Sequence, residues 1–268
     1  MHYKTAGQGN PPILFVHGFA CDLSDWQAQC DRLQEDTTVL ACDLRGHGST
    51  PGQPADCSIE TYGADVASLL AKLELPPAIL VGHSMGCRVV LQAYRDAPER
   101  VAGLVLLDGS SIGTGDRGAA EQAMSEHLRV KGYEAFVRDF FEEMFVASSD
   151  PNLKSAIIAR ALRLPAEIGA NLMPRLAGWD AAEARTTLDS VLVPLLAIQS
   201  TTLNSECKRV SLCPGQTSTW MELVRDHVPS ARIVTLPGQG HFPHLEKSGE
   251  VNALIADFVR ESPLAGSI

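Results

Sequence analysis

Gly82-His83-Ser84-Met85-Gly86 is the stretch on which the reading of this chain turns. Ala78-Ile79-Leu80-Val81 precedes it, a short aliphatic run suited to a strand buried on both faces. Arg88-Val89-Val90-Leu91-Gln92-Ala93-Tyr94 follows as a helix-like segment that Pro98 brings to an end. A serine at such a strand-to-helix corner is held on a sharp, strained turn, and flanking glycines let neighbouring backbone pass closely. Its hydroxyl then projects from the sheet onto a helix N-terminus. Ser84 is the candidate nucleophile. A bare Gly-x-Ser-x-Gly arises by chance in many chains, so the weight of the reading rests on context.

Three further segments supply that context. Pro11-Pro12-Ile13-Leu14-Phe15-Val16 is a second buried-strand pattern and runs straight into His17-Gly18-Phe19. Val39-Leu40-Ala41-Cys42 is a third, leading into Asp43-Leu44-Arg45-Gly46-His47-Gly48-Ser49. Late in the chain, Ile233-Val234-Thr235-Leu236 leads into Pro237-Gly238-Gln239-Gly240-His241-Phe242. Strand, His-Gly-x, Asp-x-Arg-Gly-His-Gly, serine elbow and late Gly-His, in that order, resemble the α/β-hydrolase fold. The resemblance runs from about Tyr3 to Phe258 and is weakest between about Ile112 and Val191. It implies a mostly parallel, doubly wound sheet with an inserted helical cap, in a serine-nucleophile, carboxylesterase-like branch.

Composition narrows the classes. A hydrophobic content of 45% over 268 residues is ample for a sizeable core. No apolar run of about eighteen residues indicates a membrane span, and Met1-His2-Tyr3-Lys4-Thr5 lacks the apolar centre of a signal peptide. The expectation is a soluble, cytoplasmic protein. Net charge is −10, with acidic residues dispersed, which argues against nucleic acid or an anionic membrane as partner. Seven irregularly spaced cysteines suit reduced thiols. Cys207 and Cys213 lie close together, but no Cys-x-x-Cys or His-x-x-x-His pattern supports a metal there. No metal and no cofactor is implied, and composition leaves the oligomeric state open.

Strand and helix signals alternate through the first part of the chain. Strands are predicted near 11–16, 38–42, 78–82 and 101–107, with helices near 24–34, 59–73 and 85–96, and Ser58 as an N-cap. This rhythm implies parallel pairing. From about Ile112 to Ser190 no strand pattern appears. Helix-like segments are expected at 119–131, 133–146, 152–162 and 166–176, with Tyr133, Phe136, Val137, Phe140 and Phe141 at helical spacing. The division is therefore a core of residues 1–111 and 191–268 around a helical cap of residues 112–190. Most cap aromatics are expected to pack against the core, with one or two of Phe140, Phe141, Met144 and Phe145 reaching the pocket. The rhythm resumes at Val193–Gln199, with a loop over 200–216, a helix over 218–227, a strand over 231–236 and a final helix over about 246–261. His2–Ala6 fits an edge strand.

A serine hydroxyl needs a base to take its proton, and imidazole titrates in the right range. His241, in a Gly-Gln-Gly-His turn after the last strand, is the candidate base, with His244 its ordinary neighbour. The resemblance places His17 and His47 in structural turns, and the His83 side chain is expected to point away from Ser84. It also implies oxyanion donors at the backbone N–H groups of Phe19 and Met85. The acid departs from the usual pattern of the family. Gln199-Ser200-Thr201-Thr202-Leu203-Asn204 carries no carboxylate where most relatives have one, and Glu206 is the nearest. Some members of the fold place the acid one strand earlier, which here is Asp108. Asp108 is favoured, and Glu206 stays open. Asp43 and Arg45 read as a structural pair, and Glu206, Lys208 and Arg209 as a solvated surface.

The function expected is a serine hydrolase cleaving small or medium carboxylic esters through an acyl-enzyme, with a small-molecule ester as its partner. The same residues also serve carbon–carbon bond hydrolases, lactonases and cofactor-free dioxygenases. A non-catalytic small-molecule receptor is the reading from a different class.

Overall fold

Aliphatic runs become interior strands where both faces of a sheet can be covered, and the first half of the chain does this repeatedly. The computed structural model describes residues 1–204 and 208–261. In chain order its elements are β1 (Tyr3–Ala6), β2 (Ile13–Val16), α1 (Gln27–Leu33), β3 (Val39–Cys42), α2 (Ile59–Lys72), β4 (Ala78–His83), α3 (Met85–Asp96) and β5 (Val101–Leu107). Five helices follow: α4 (Arg117–Lys131), α5 (Tyr133–Glu142), α6 (Pro151–Ala161), α7 (Ala166–Ala182) and α8 (Ala184–Asp189). The chain then returns through β6 (Leu195–Gln199), β7 (Thr201–Leu203), β8 (Arg209–Ser211), α9 (Thr219–His227), β9 (Arg232–Thr235), α10 (Pro243–Glu246) and α11 (Ser248–Glu261).

Seven strands form one sheet in the order β1-β3-β2-β4-β5-β6-β9. Only β1 runs antiparallel, at the edge beside β3, so the segment expected as an edge strand is one. Alternating residues go to opposite faces. Leu14, Val16, Leu104 and Leu106 enter the core under α2, α3 and the five-helix insertion, while Ile13, Phe15, Val105 and Leu107 enter the core under α1 and α11. Each such side chain contributes about 1.5–3 kcal/mol on full burial. The chain winds from β2 to β3 in one direction and then crosses back to β4. That reversal opens a crevice at the carboxyl ends of β2 and β4, the usual ligand position in such sheets.

Two sequence expectations change. The stretch 200–216, expected as a loop, contains the antiparallel hairpin β7–β8, with Thr201 opposite Ser211. The helix expected over 166–176 runs on to Ala182 through Pro174. Burial of Leu172, Met173, Leu176, Ala177 and Trp179 offsets what an interior proline costs. The final helix expected over about 246–261 is α11, and a short helix, α10, precedes it. Ser58 caps α2 by accepting from the Thr61 N–H at 3.2 Å. Among the described residues no helix is long and apolar enough to cross a membrane.

Candidate active site

Ser84 joins β4 to α3 at φ 54°, ψ −116°, a left-handed φ that a side chain adopts only under constraint. The constraint is local. A Cβ on Gly82 would strike the Gly86 carbonyl, and one on Gly86 would meet the His17 carbonyl oxygen at 2.9 Å. The backbone therefore doubles back on itself and lies against the end of β2. The Ser84 N–H donates to the Leu107 carbonyl at 3.0 Å, which ties the corner to β5. A Cβ on Gly18 would lie 3.2 Å from the Ser84 Cβ, so the His17-Gly18-Phe19 turn abuts the serine. Met85 is the first residue of α3, whose opening N–H groups have no partner within the helix. Phe19 and Met85 are both buried.

His241 and Asp108 meet. His241 Nδ1 lies 2.6 Å from Asp108 Oδ2, with both side chains fully buried. A carboxylate only accepts, so Nδ1 carries the proton and Nε2 presents a lone pair. That Nε2 is buried and has no hydrogen-bond partner among the described residues, Ser84 included. The backbone of His241 is held on both sides: its N–H donates to the Met144 carbonyl at 2.7 Å, and its carbonyl accepts from His83 Nε2 at 2.7 Å. Ser200 Oγ donates to the Gly240 carbonyl at 2.8 Å, fixing the turn one residue earlier.

Asp108 follows β5 at φ 44° and is saturated with donors. Its Oδ1 accepts from the N–H groups of Ser200 and Thr201 at 2.7 and 2.8 Å, and its Oδ2 also takes the Thr201 hydroxyl at 2.6 Å. Burial pushes the carboxyl up, but the bond and charge of His241, the Arg209 guanidinium and the Thr201 hydroxyl outweigh it and hold it down at about 2. Burial and then Arg209 push His241 down to about 4, against the pull of Asp108. At neutral pH the pair is an ionised carboxylate beside a neutral imidazole, which is the resting state of a general base.

Other sequence readings resolve as follows. Glu206 and Cys207 lie outside the described residues. Arg209, expected on a solvated surface, is turned inward with a side chain only 8% exposed, because the β7–β8 hairpin folds over the Asp108 corner. Asp43 and Arg45 do not pair with each other. Asp43 accepts from the N–H groups of Leu23 and Ser49, whereas Arg45 grips Asp65 with two nitrogens at 3.0 and 2.7 Å. His17 is structural: its Nε2 accepts from the Leu44 N–H at 3.0 Å. Phe140 meets Phe19 edge-on at 6.4 Å, and Phe145 stacks on Phe242 at 5.4 Å. Sequence reasoning missed Thr201, Arg209 and the bond from His83 to the His241 carbonyl. It also missed Arg88, which pairs with Asp180 of α7 through two bonds of 2.7 Å and donates to the Ser84 carbonyl at 3.3 Å.

A cleft of about 600 Å³ opens between Ala20-Cys21, the 46–52 turn and the residues Arg160, Arg163 and Ile168 of the helical insertion. It does not touch Ser84 or His241. It begins one residue past Phe19, on the same turn that Gly18 presses against the serine.

The chain is similar to several known proteins. The dihydrolipoyllysine-residue acetyltransferase component of the acetoin cleaving system from Cupriavidus necator is 37% identical over 116 residues, 43% of this chain and 30% of the relative. The chain spans less than two thirds of the length of the first curated relatives it matches. A pimeloyl-[acyl-carrier protein] methyl ester esterase from Nitrosomonas europaea is 26% identical over 91% of this chain and 94% of its own. Among solved structures, a thermophilic esterase from Thermogutta terrifontis superposes with a TM-score of 0.80 at 24% identity, over 97% of this chain and 93% of the other. The model of the alpha/beta hydrolase family matches residues 13–254. With that match over most of its length, the chain belongs to the alpha/beta hydrolase family.

Proposed function

We propose that this hydrolase cleaves small or medium carboxylic esters through an acyl-enzyme on Ser84. The observation that carries the reading is the buried His241–Asp108 pair, whose bond at Nδ1 leaves Nε2 bare as an acceptor beside the serine elbow. In the first step Ser84 Oγ attacks the ester carbonyl while Nε2 takes its proton. Asp108 stabilises the imidazolium that forms and does not itself take the proton. The N–H groups of Phe19 and Met85 receive the developing oxyanion, each contributing about 3 kcal/mol of transition-state stabilisation. His241 then protonates the departing alkoxide, and the acyl-enzyme forms. Water, deprotonated by the same nitrogen, repeats the sequence and releases the acid.

The helices over 112–190 act as the cap on this reading. Phe140 and Phe145 bring apolar surface toward Phe19 and Phe242, which favours an acyl or aryl group over a charged one. The similarity to a methyl ester esterase along nearly the whole chain supports the ester reading.

The test is hydrolysis of p-nitrophenyl acetate and butyrate by the purified protein, with Ser84→Ala as control. Turnover that disappears in a folded Ser84→Ala variant is the expected result. Turnover that survives, or none in the parent protein, ends the ester reading.

A further inference from the structure

The ester reading assigns Ser84, His241 and Asp108 but leaves a cation buried beside them. Arg209 sits on β8 with its Nη1 2.7 Å from Thr201 Oγ1 and 3.7 Å from Asp108 Oδ2. The directions of the bonds are fixed by chemistry. Thr201 has one hydroxyl proton, and a carboxylate cannot donate, so that proton goes to Asp108 Oδ2 at 2.6 Å. The hydroxyl oxygen must then accept from Arg209. The chain of donors runs guanidinium, hydroxyl, carboxylate, imidazole, and it ends on the same carboxylate oxygen that holds His241.

We propose that Arg209 is a positioning residue for the Asp108–His241 pair: it holds the Thr201 hydroxyl on the working carboxylate oxygen, and its charge opposes protonation of His241. The proposal rests on the assignment of that pair made above. Burying a guanidinium is unfavourable unless a partner compensates it, and among the described residues Asp108 is the one carboxylate within ion-pair distance of Arg209.

The other groups facing His241 supply less of this charge than Arg209, or none. His83 of β4 and His244 of α10 are kept neutral, because burial pushes both well down. Arg88 of α3 is neutralised by its two bonds to Asp180. Glu143, beyond the end of α5, is exposed and acts on Arg209 only at a distance. Phe242 and the Met144 carbonyl are uncharged. Among the described residues Arg209 is therefore the positive charge that shares Asp108 with the imidazole, and Asp108 must divide its own charge between them. The consequence is a base that remains unprotonated in mildly acidic solution, where an ordinary histidine would already be charged.

The test is the titration of the His241 ring by heteronuclear NMR without substrate, together with the acid limb of kcat/KM, in the parent protein, Arg209→Met, Arg209→Gln and Arg209→Lys. His241→Gln identifies the resonance. In Arg209→Met both readouts should move up by about one pH unit or more, while Arg209→Lys, which keeps the charge, stays near the parent. Arg209→Gln can still donate to Thr201 without carrying charge and should move like Arg209→Met, which covers the case in which the methionine variant fails to fold. A loss of kcat with both readouts unmoved would mean Arg209 is only scaffolding, and the proposal falls. Ring titration needs no turnover, so failure of the ester reading, seen as turnover that survives Ser84→Ala, is distinguishable from failure of this one.

Discussion

The corner after β4 and the corner after β5 carry the two halves of the candidate site, and they are built in opposite ways. The serine corner is local. Its motif is five consecutive residues, with Gly82 required by the corner's own backbone and Gly86 by the end of β2, and a single backbone bond ties Ser84 to Leu107. The acid corner is assembled from distant pieces. Asp108 is bonded by residues 92, 93 and 133 positions away in sequence, from the end of β6, the first strand of the hairpin and the turn after β9. A strained turn can be encoded by neighbours, but a saturated buried carboxylate needs donors from several segments at once. The difference teaches where damage should be tolerated and where it should not.

The largest expected effect breaks the acid corner. Asp108→Asn keeps the shape but removes the acceptor that fixes the His241 tautomer, and kcat should fall by about 10⁴. Glu206→Gln should leave kcat within about twofold, since Asp108 already holds His241 Nδ1. Steady-state kinetics of the two variants decide the assignment, and the reverse result would move the acid to Glu206.

Next, Gly86→Ala probes the serine corner through packing alone. Its methyl group would press on the carbonyls of Val16 and His17, where backbone cannot yield cheaply. Destabilisation of about 1–3 kcal/mol is expected by chemical denaturation, with a parallel loss of turnover as Ser84 shifts. An unchanged midpoint would show the elbow to be looser than its glycines imply.

Acid should weaken both corners together. His17, His47, His83, His241 and His244 are all held below the ordinary value of 6.5, first of all by burial, His241 at about 4 and His47 and His244 at about 3. A folded-state value below the unfolded one means that the unfolded chain takes up the proton first. Stability is therefore full above about pH 6.5 and is lost as pH falls toward the folded values, each histidine adding up to about 1.4 kcal/mol per pH unit. Tm measured from pH 7.5 to 4.5 should be flat and then drop steeply. A flat curve through pH 5 would contradict the buried, neutral state of these rings.

The smallest effect lies beneath the serine corner. His244 stacks on Trp26 at 4.6 Å, and both of its ring nitrogens are buried without hydrogen-bond partners among the described residues. His244→Phe keeps an aromatic ring there and removes an unsatisfied polar group, so stability should rise by about 1 kcal/mol or stay level. A marked loss would show that a nitrogen of His244 has a partner in solution.

The centre of the sheet was legible because β2, β3, β4 and β5 are built on runs of four to seven mostly aliphatic residues, bounded by turn residues. The β7–β8 hairpin was not, because three-residue strands such as Thr201–Leu203 are too short to show a period of two. The last turns of α7, beyond residue 176 to Ala182, were equally hidden, since what carries a helix on there is burial of Ala177 and Trp179, and burial is not local.

The candidate site divides along the same line. Ser84, and the turn that carries His241, stand in short glycine-bearing motifs read from consecutive residues, so the amino-acid sequence by itself determined them as candidates. Which carboxylate meets His241, and why a charged Arg209 lies inside, was decided only by the tertiary structure. Electrostatic contact and burial depend on which segments the fold brings within a few ångströms of one another, and for Asp108, Thr201, Arg209 and His241 that proximity arises from the order of strands in the sheet.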